Sequence, residues 1–395
     1  MKVPRLRFPE FQDDWAVKQL GELGKLSGGG TPDKSVAEYW QGDIPWISSS
    51  DIYENDIYTI SVTRFINEKS ISESATKIVP KGSVLFVSRV GTGKLAITDI
   101  DVCTSQDFTN FLAKKIYNYF IGYFFIANKS ALISLGQGTS IKGFSKGDLE
   151  KFEVSFPSPL EQQKIVDCLS SIDELITAQT QKLNTLKTHK KGLMQQLFPA
   201  EGETLPKLRF PEFEDAPVWD IKQLKCICNM QAGKFISASA IYEQNKEGFY
   251  PCYGGNGLRG YTKTYTHSGR YPLIGRQGAL CGNVKLGAGQ FHATEHAVVA
   301  TPQHNTDVNW LFYELDLLNL NRYATGQAQP GLSVDVLEKI PFAVPITERE
   351  QQKIAECLSS IDDLITAQTQ KLDTLKTHKK ALMQQLFPTI EEVSS

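Results

Sequence analysis

The sequence predicts an α+β protein: two mixed α/β domains in a pseudo-twofold arrangement, separated by two long helices that form an antiparallel coiled coil. Three observations support this prediction. A helical segment occurs twice, a short motif stands at the start of each half, and the bodies between the motifs differ. A length of 395 residues suits two domains, since a domain usually holds roughly 100–200 residues.

The repeated segment is the strongest of these signals. Residues 161–199 and 350–388 differ at five of their 39 aligned positions. The glutamate that opens each copy favours a helix N-terminus through the helix dipole, and Phe-Pro ends each copy. Apolar residues alternate at spacings of four and three, which is the a/d pattern of a coiled coil. The predicted seam residues are Ile165, Leu169, Ile172, Ile176, Leu183, Leu186, Leu193, Leu197, Ile354, Leu358, Ile361, Ile365, Leu372, Leu375, Leu382 and Leu386.

Two polar residues interrupt each copy of this seam: Gln179 and Lys190 in the first, Gln368 and Lys379 in the second. Polar seam residues cost stability but restrict register and partner. Because the chain must cross a whole body between the helices, an antiparallel pair within one chain is the simplest arrangement. The alternative is that each helix packs on its own body alone.

A shorter repeat marks the start of each half. The segment Pro-Arg-Leu-Arg-Phe-Pro-Glu-Phe at 4–11 returns at 206–213 with one Arg-to-Lys change, and a tryptophan follows each copy. The copies lie 202 residues apart at this motif and 189 apart at the helix, so the first body is 13 residues longer. The predicted domains are a first body at 1–156, a helix at 157–199, a second body at 200–344, a helix at 345–390 and a flexible tail at 391–395.

Both bodies are predicted to combine short strands with a few helices. Apolar and β-branched runs bounded by glycine-rich turns predict the strands, and short helices are expected at 111–127 and 307–320. The predicted strands are residues 60–63, 83–88, 95–98 and 152–156 in the first body and 271–274, 282–285, 296–300 and 341–344 in the second.

The composition informs predictions of cellular location and of DNA binding. The sequence contains no run of about 18 apolar residues, so it predicts no membrane span. The N-terminal residues lack the apolar core of a signal peptide. The seven cysteines are scattered without C-x2-C spacing, which predicts reduced thiols in the cytoplasm. A net charge of −2 is neutral evidence on nucleic acid, since a DNA-binding protein needs a local basic face rather than a basic total.

Two motifs suggest catalysis but fit it poorly. Gly91-Thr-Gly-Lys94 lacks the first glycine and the final hydroxyl residue of a phosphate-binding loop. The string H-x-x-E-H opens the alternative of a zinc hydrolase that uses His292, Glu295 and His296. Its setting indicates a turn and a strand, where residues four apart lie about 13 Å apart, too far for one metal. Methyltransferase, nuclease and Walker motifs are not evident, so the sequence predicts no catalytic centre in this chain.

Polar loops with glycine turns are the candidates for contacts with DNA. One loop lies between two predicted strands near residue 90, and a loop rich in Gln and Thr precedes each long helix. Such side chains read base edges in the major groove, although they are also ordinary loop residues. Residues 46–51 and 253–259 either line the same surfaces or close the domains as turns. The predicted DNA contacts are Arg89, Thr92, Lys94, Gln137, Thr139, Ser140, Lys142, Arg259, Arg276, Gln277, Thr325, Gln327 and Gln329.

Taken together, these motifs resemble the DNA-specificity (S) subunit of type I restriction-modification systems over essentially the whole chain. The likeness rests on Leu-Arg-Phe-Pro-Glu-Phe…Trp at the start of each body, Pro-Trp-Ile-Ser at 45–48, Tyr-Gly-Gly-Asn-Gly at 253–257, and Glu-Gln-Gln-Lys-Ile and Leu-Ile-Thr-Ala-Gln-Thr-Gln-Lys-Leu in each helix. It implies two target-recognition domains, each of which reads one half of a bipartite, asymmetric DNA sequence. It also implies a coiled coil that sets the spacer between the half-sites and docks modification subunits.

The resemblance places the chemistry in partners. Two modification subunits would bind S-adenosylmethionine and methylate adenine, and two restriction subunits would use ATP and Mg²⁺ for cleavage. The chain itself would hold no cofactor or metal. A methyltransferase-only complex is the alternative. With half-site centres about one turn apart, roughly 10 bp, we expect a gap of about six unspecified base pairs.

Overall fold

The computed structural model describes residues 3–136, 143–278, 280–326 and 330–390. The chain divides into two compact units: unit 1 is Met1–Gln179 with Lys371–Ser395, and unit 2 is Thr180–Gln370. Each unit therefore contains one body, the first part of the helix that follows it, and the last part of the other long helix. Each body packs against parts of both long helices.

Unit 1 contains short strands, short helices and the start of the first long helix. Its strands are β1 (Ala16–Gln19), β2 (Gly24–Gly28), β3 (Ile44–Ile47), β4 (Arg64–Ile66), β5 (Ile78–Val79), β6 (Val84–Val87), β7 (Leu95–Ile97), β8 (Val102–Thr104), β9 (Phe108–Ala113) and β10 (Glu153–Phe156). The helices are α1 (Leu20–Leu23), α2 (Glu68–Ser72), α3 (Asn118–Ala127), α4 (Lys129–Ser134), α5 (Lys146–Glu150) and α6 (Pro159–Leu197), which continues into unit 2.

Unit 2 has longer strands and fewer helices in its body. Its strands are β11 (Asp220–Gln223), β12 (Cys228–Ala232), β13 (Tyr250–Gly254), β14 (Gly257–Thr262), β15 (His267–Gly275), β16 (Val284–Ala293), β17 (Ala297–Pro302) and β18 (Pro341–Val344). The helices are α7 (Val308–Leu317), α8 (Val334–Leu337) and α9 (Glu348–Leu386), which continues into unit 1. Single 3₁₀ turns lie at Ala37–Trp40, Ser49–Asp51, Pro211–Phe213, Leu224–Cys226, Ala238–Ala240 and Leu320–Tyr323.

The two bodies share one pattern of strand pairing. In the described part of unit 1, the sheets are β2-β9-β6-β7 and β4-β3-β8-β5, and β1 pairs with β10. In the described part of unit 2, one sheet runs β12-β17-β15-β16-β13-β14, and β11 pairs with β18. A parallel pair occurs in each body, β3 with β8 and β13 with β16. Strand β16 thus takes the places that β7 and β8 occupy separately in unit 1.

Two of the predicted elements in the bodies need correction. Residues 60–63 are not a strand, since Ile60 forms an isolated bridge with Ile52. The helix predicted at 111–127 begins at Asn118, because Phe108–Ala113 is a strand held between β2 and β6. The helix predicted at 307–320 is Val308–Leu317, and the Asp307 carboxylate accepts hydrogen bonds from the backbone at its N-terminus.

The short motif and the helix start bind each other in unit 1. Arg7 donates from Nε and Nη2 to the two carboxylate oxygens of Glu161, at 2.7 and 2.8 Å, and Trp15 Nε1 donates to the same carboxylate at 3.3 Å. Glu161 is buried, and this hydrogen-bonded carboxylate raises the pKa of Arg7. The glutamate that the sequence assigns to the helix dipole is thus also the acceptor that fastens the body to α6.

The same contact of arginine and tryptophan with the glutamate, which we call the clamp, recurs in unit 2. Arg209 donates to both oxygens of Glu350 at 2.7 and 2.8 Å, and Trp219 Nε1 donates at 3.1 Å. The glutamine that follows also has a structural role, since Gln351 Oε1 accepts a hydrogen bond from the backbone N–H of Asp307 at 2.9 Å. The two repeated motifs are therefore the two sides of one contact.

In unit 1, the first part of α6 runs antiparallel to the last part of α9. Ile165 and Leu386 share one buried cluster, and Asp173 pairs with Lys379, so residue numbers rise along one helix as they fall along the other. Tyr123 of α3 donates to Asp173 at 2.6 Å, and the Lys379 ammonium lies 5.4 Å from its ring centre. Burial and the Asp173 carboxylate raise the pKa of Tyr123, so its hydroxyl remains a donor.

Unit 2 repeats this arrangement with the helices exchanged. Lys190 of α6 donates to both oxygens of Asp362 on α9 at 2.7 and 2.8 Å, and Tyr313 of α7 donates to Asp362 at 2.7 Å. The two lysines that interrupt the predicted seam, Lys190 and Lys379, therefore form ion pairs between the two helices. Each pair is also bonded to the body of its own unit.

Every residue predicted for the seam is buried or half-buried. Met194 and Met383 are also buried, although they fall outside the pattern of fours and threes, because they pack towards the bodies. Across the described residues, no helix has both the length and the apolar character that a membrane span needs.

Candidate nucleic-acid interfaces

The turn between β6 and β7 carries three of the predicted DNA contacts of unit 1. Arg89 is exposed, and Thr92 Oγ1 donates to the Arg89 carbonyl at 2.5 Å. Lys94 turns back onto its own body, where Nζ donates to the carbonyl of Ile52 at 3.2 Å. Arg89 is thus the cation that this turn displays, while Lys94 braces the turn.

The polar loop before α6 returns to this turn. Phe144 N donates to the carbonyl of Ser88 at 3.0 Å, so the loop rejoins the fold immediately beside Arg89. Four predicted contacts of this loop lie outside the described residues: Gln137, Thr139, Ser140 and Lys142.

Unit 2 has the same arrangement of a turn joined by the polar loop, which we call the junction, and builds it on the turn between β15 and β16. Leu332 N donates to the Arg276 carbonyl at 2.9 Å, as Phe144 does to Ser88 in unit 1. Gln277 and Thr325 each form a bridge with Gly331. The structure therefore brings Arg276, Gln277 and Thr325 together. Two predicted contacts, Gln327 and Gln329, lie outside the described residues.

A second turn adjoins this junction in both units, and sequence reasoning did not assign it to DNA. It precedes β9 in unit 1 and β17 in unit 2. Ser88 N donates to the Asp107 carbonyl at 2.7 Å, and Arg276 N donates to the His296 carbonyl at 3.0 Å. By these matching bonds Asp107 corresponds to His296, and Gln106 corresponds to Glu295. The signal in the sequence was the H-x-x-E-H string, which suggested a different chemistry.

Residues 253–259 include the end of β13, the turn that follows it and the first part of β14. Gly275 must be glycine, because a Cβ there would lie 1.9 Å from the carbonyl oxygen of Gly255. Arg259 is exposed on β14. Burial raises the pKa of the Cys252 thiol, while Arg259 lowers it and Glu295 raises it. Arg259 also lies beside the turn that holds Glu295, since a Cβ at Gly254 would be 3.7 Å from both Arg259 Cδ and Thr294 Oγ1.

The corresponding segment of unit 1, residues 46–51, closes the domain. Arg64 forms an ion pair with Asp51, donates to Ser48 Oγ at 2.7 Å, and lies 4.7 Å from the ring centre of Trp46. Asp51 is buried and accepts a hydrogen bond from the backbone N–H of Ser48 at 2.7 Å. These contacts indicate that residues 46–51 are a structural turn rather than a surface that contacts DNA.

The zinc-hydrolase alternative is not favoured. His292 is buried on β16, with Nε2 3.1 Å from the Lys234 carbonyl and Nδ1 3.4 Å from Thr264 Oγ1. Its ring is therefore engaged within the body, while His296 lies in the turn beyond the strand. The described residues contain no group of three or more His, Cys, Asp or Glu side chains that could hold a metal ion.

Both long helices expose a leucine at the same position of the repeated segment. Leu175 of α6 is 50% exposed and Leu364 of α9 is 56% exposed. Both lie in the repeated segment, but outside the predicted seam. An exposed leucine on an otherwise polar helix surface is a candidate contact for a partner.

Comparisons with known proteins agree with this layout. Residues 12–188 and 218–377 match the family model described as type I restriction modification DNA specificity domain. The chain is 34% identical to the type I restriction enzyme EcoprrI specificity subunit of Escherichia coli, over 89% of this chain and 88% of that protein. It is 25% identical to the MjaVIII specificity subunit of Methanocaldococcus jannaschii, over 97% and 93%. The S subunit of a type I restriction-modification system from M. genitalium has a similar fold, with a TM-score of 0.67 at 16% identity, over 98% of this chain and 100% of that one.

Proposed function

The chain belongs to the family of type I restriction-modification DNA-specificity subunits, and we propose that each of its two bodies reads one half of a bipartite, asymmetric DNA site. The observation that supports this proposal is the junction of two turns and a polar loop in each unit. The backbone bonds of the junction recur in both units, but the side chains differ.

The differences between the two junctions are those that different half-sites require. Ser88 and Asp107 in unit 1 stand where unit 2 has Arg276 and His296. Base sequence is read by side chains at base edges, whereas phosphate contacts fix position on the duplex. One backbone arrangement that carries two different sets of side chains can therefore recognise two different base sequences. The repeated helices would set the spacer between them.

Exchange of the first body tests this proposal. Residues 20–155 are replaced by the corresponding body of a relative, and the methylated motif is read by methylation-sensitive sequencing in cells that carry the complete system. We expect one half-site to change and the other to persist, because each body reads alone. A change in both half-sites would show that the bodies do not read independently, and a motif that does not depend on this gene would refute the proposal.

We further propose that catalysis resides in partner subunits. Two modification subunits would bind S-adenosylmethionine and methylate adenine, and two restriction subunits would use ATP and Mg²⁺. Leu175 and Leu364 support equivalent docking of the modification subunits, because both are exposed on identical stretches of helix. A methyltransferase-only complex remains the alternative, and the neighbouring genes distinguish the two.

Placing a charged side chain at Leu175 and at Leu364 tests whether these residues form the docking surface. Leu175→Asp should reduce the number of bound modification subunits from two to one in native mass spectrometry, and adding Leu364→Asp should abolish binding. Thr177→Asp is the control, because residue 177 is exposed and lies about 200° around the helix from residue 175. Full binding by the double variant would exclude this surface.

A further inference from the structure

We propose that the turn of Thr294, Glu295 and His296 is a base-reading element of unit 2, in which Glu295 accepts a hydrogen bond from the exocyclic amino group of a cytosine in the second half-site. This inference rests on the proposed function, since it requires unit 2 to bind DNA. It gives the H-x-x-E-H string a role in recognition rather than in metal chemistry.

The backbone fixes this turn beside the predicted contacts. Thr294 N donates to the Tyr253 carbonyl at 2.9 Å, and the His296 carbonyl accepts from Arg276 N at 3.0 Å. His296 N in turn donates to Thr294 Oγ1 at 3.4 Å. The turn is therefore held between the β13–β14 turn and the junction that contains Gln277.

Part of the hydrogen-bonding capacity of this region is unused. Glu295 Oε1 lies 3.4 Å from His296 Nε2, but Glu295 Oε2, His296 Nδ1 and Arg276 Nε are buried atoms that have no hydrogen-bond partner among the described residues. A buried polar atom without a partner costs free energy, so three in one region favour a state in which a ligand satisfies them. The Glu295 and His296 side chains are 33% and 40% exposed, so solvent reaches both of them.

The chemistry of Glu295 selects the group that it can bind. An ionised carboxylate is an acceptor, and its charge repels DNA phosphate. In the major groove the cytosine N4 amino group is the partner that suits a glutamate. Arg259 lies beside the same turn, with Arg259 Cδ and Thr294 Oγ1 both 3.7 Å from a Cβ built on Gly254, and its charge offsets the repulsion between the carboxylate and the backbone of DNA.

The corresponding residue of unit 1 predicts a different base preference. Gln106 stands in the place of Glu295 and is exposed. A glutamine amide both donates and accepts, and it reads adenine in a bidentate manner. The same position in the two bodies would then read different bases, as two unlike half-sites require.

The experiment uses the complete complex with Glu295→Gln. We expect discrimination for cytosine at one position of the second half-site to fall about ten- to hundredfold, and the first half-site to stay unchanged. Glu295→Asp keeps the carboxylate and should keep the same base with weaker methylation. Glu243→Gln, at an exposed loop position of the same unit, is the matched control. The readout is the set of methylated sequences and the rate of methylation of oligonucleotides that vary at each position.

The outcomes separate this inference from the proposed function. An unchanged second half-site in Glu295→Gln overturns the inference, while the body exchange can still move one half-site. A change in the first half-site would also overturn it. Loss of all methylation by Glu295→Gln together with weaker but retained methylation by Glu295→Asp supports a role for the carboxylate. Loss by both variants assigns the turn to folding and overturns the inference.

Discussion

Glu314 is an ionisable residue in a buried, apolar environment. It follows Tyr313 on α7, where unit 1 has Phe124 after Tyr123, and it is 5% exposed. Phe124 packs against Phe387, with ring centres 6.2 Å apart. Burial alone raises the pKa of the Glu314 carboxyl to about 8. The fold therefore favours the protonated acid at this position.

This pKa predicts how the stability of unit 2 depends on pH. A raised pKa in the folded state gives a stabilising contribution that is complete below about pH 4.5 and is lost as the pH rises towards 8. Relative to Glu314→Gln, the wild-type protein should lose on the order of 2–4 kcal/mol between pH 5 and pH 8, at ~1.4 kcal/mol for each pKa unit. Urea unfolding at both pH values measures the difference. Parallel curves for the wild type and Glu314→Gln would contradict it, and Glu243→Gln should follow the wild type.

Single residues also show where reasoning from sequence reached its limit. Lys190 and Lys379 were recognisable as polar interruptions of the seam, because the heptad pattern marks those positions. Their carboxylate partners were not predicted, since Asp173 and Asp362 lie on the other copy of the helix. Most of the predicted DNA contacts in described residues fall at the junctions, but the proposed contact Glu295 was not among the predictions, because a folded turn, not a spacing, brings it there.

At the scale of elements, the two repeated motifs were recognised separately, but their contact was not. Sequence comparison shows that both are repeated. It does not show that the arginine and tryptophan of one bind the glutamate of the other, because 154 residues separate Arg7 from Glu161. Helix α3 illustrates a second limit. The apolar segment before it, Phe108–Ala113, has no hydrophobic periodicity that distinguishes a buried strand from a buried helix. It forms a strand because it pairs with β2 and β6.

The clamp should make a large contribution to the stability of unit 2. In Glu350→Ala the Arg209 side chain, which is 8% exposed, keeps its charge without its carboxylate. We expect a loss of about 3–5 kcal/mol, since an unpaired buried charge is costly. Adding Arg209→Met should recover part of this loss because the charge is then gone. Equilibrium unfolding in urea measures both effects.

A matched control lies on the same surface. Glu212 pairs with Lys353 at 3.5 Å, and both side chains are at least 40% exposed. Glu212→Ala should change stability little, because water screens an exposed pair. Equal losses for Glu350→Ala and Glu212→Ala would show that burial does not set the strength of the clamp.

At the scale of the whole molecule, the contacts of the long helices recur in both units, while the residues of the junctions differ. The clamp, the ion pairs of the long helices and the exposed leucines recur in both units. The residues at the two junctions do not recur. The sequence could predict the repeated part, because identity between copies is visible in one chain. The variable part required the structure, since its residues correspond by hydrogen bonds rather than by sequence.

The helix length gives the last prediction, which follows from the proposal that the helices set the spacer. Seven residues inserted after Gln179 and after Gln368 preserve the heptad register and lengthen each helix by about 10 Å. At about 3.4 Å for each base pair, the gap between the half-sites should widen by about three base pairs, with both half-sites unchanged. The same heptad inserted between Asn245 and Lys246, in an exposed loop of unit 2, should leave the gap as it is. Methylation-sensitive sequencing reads both results. An unchanged gap after lengthening both helices would mean that the spacing is set by the bodies or by partner subunits instead.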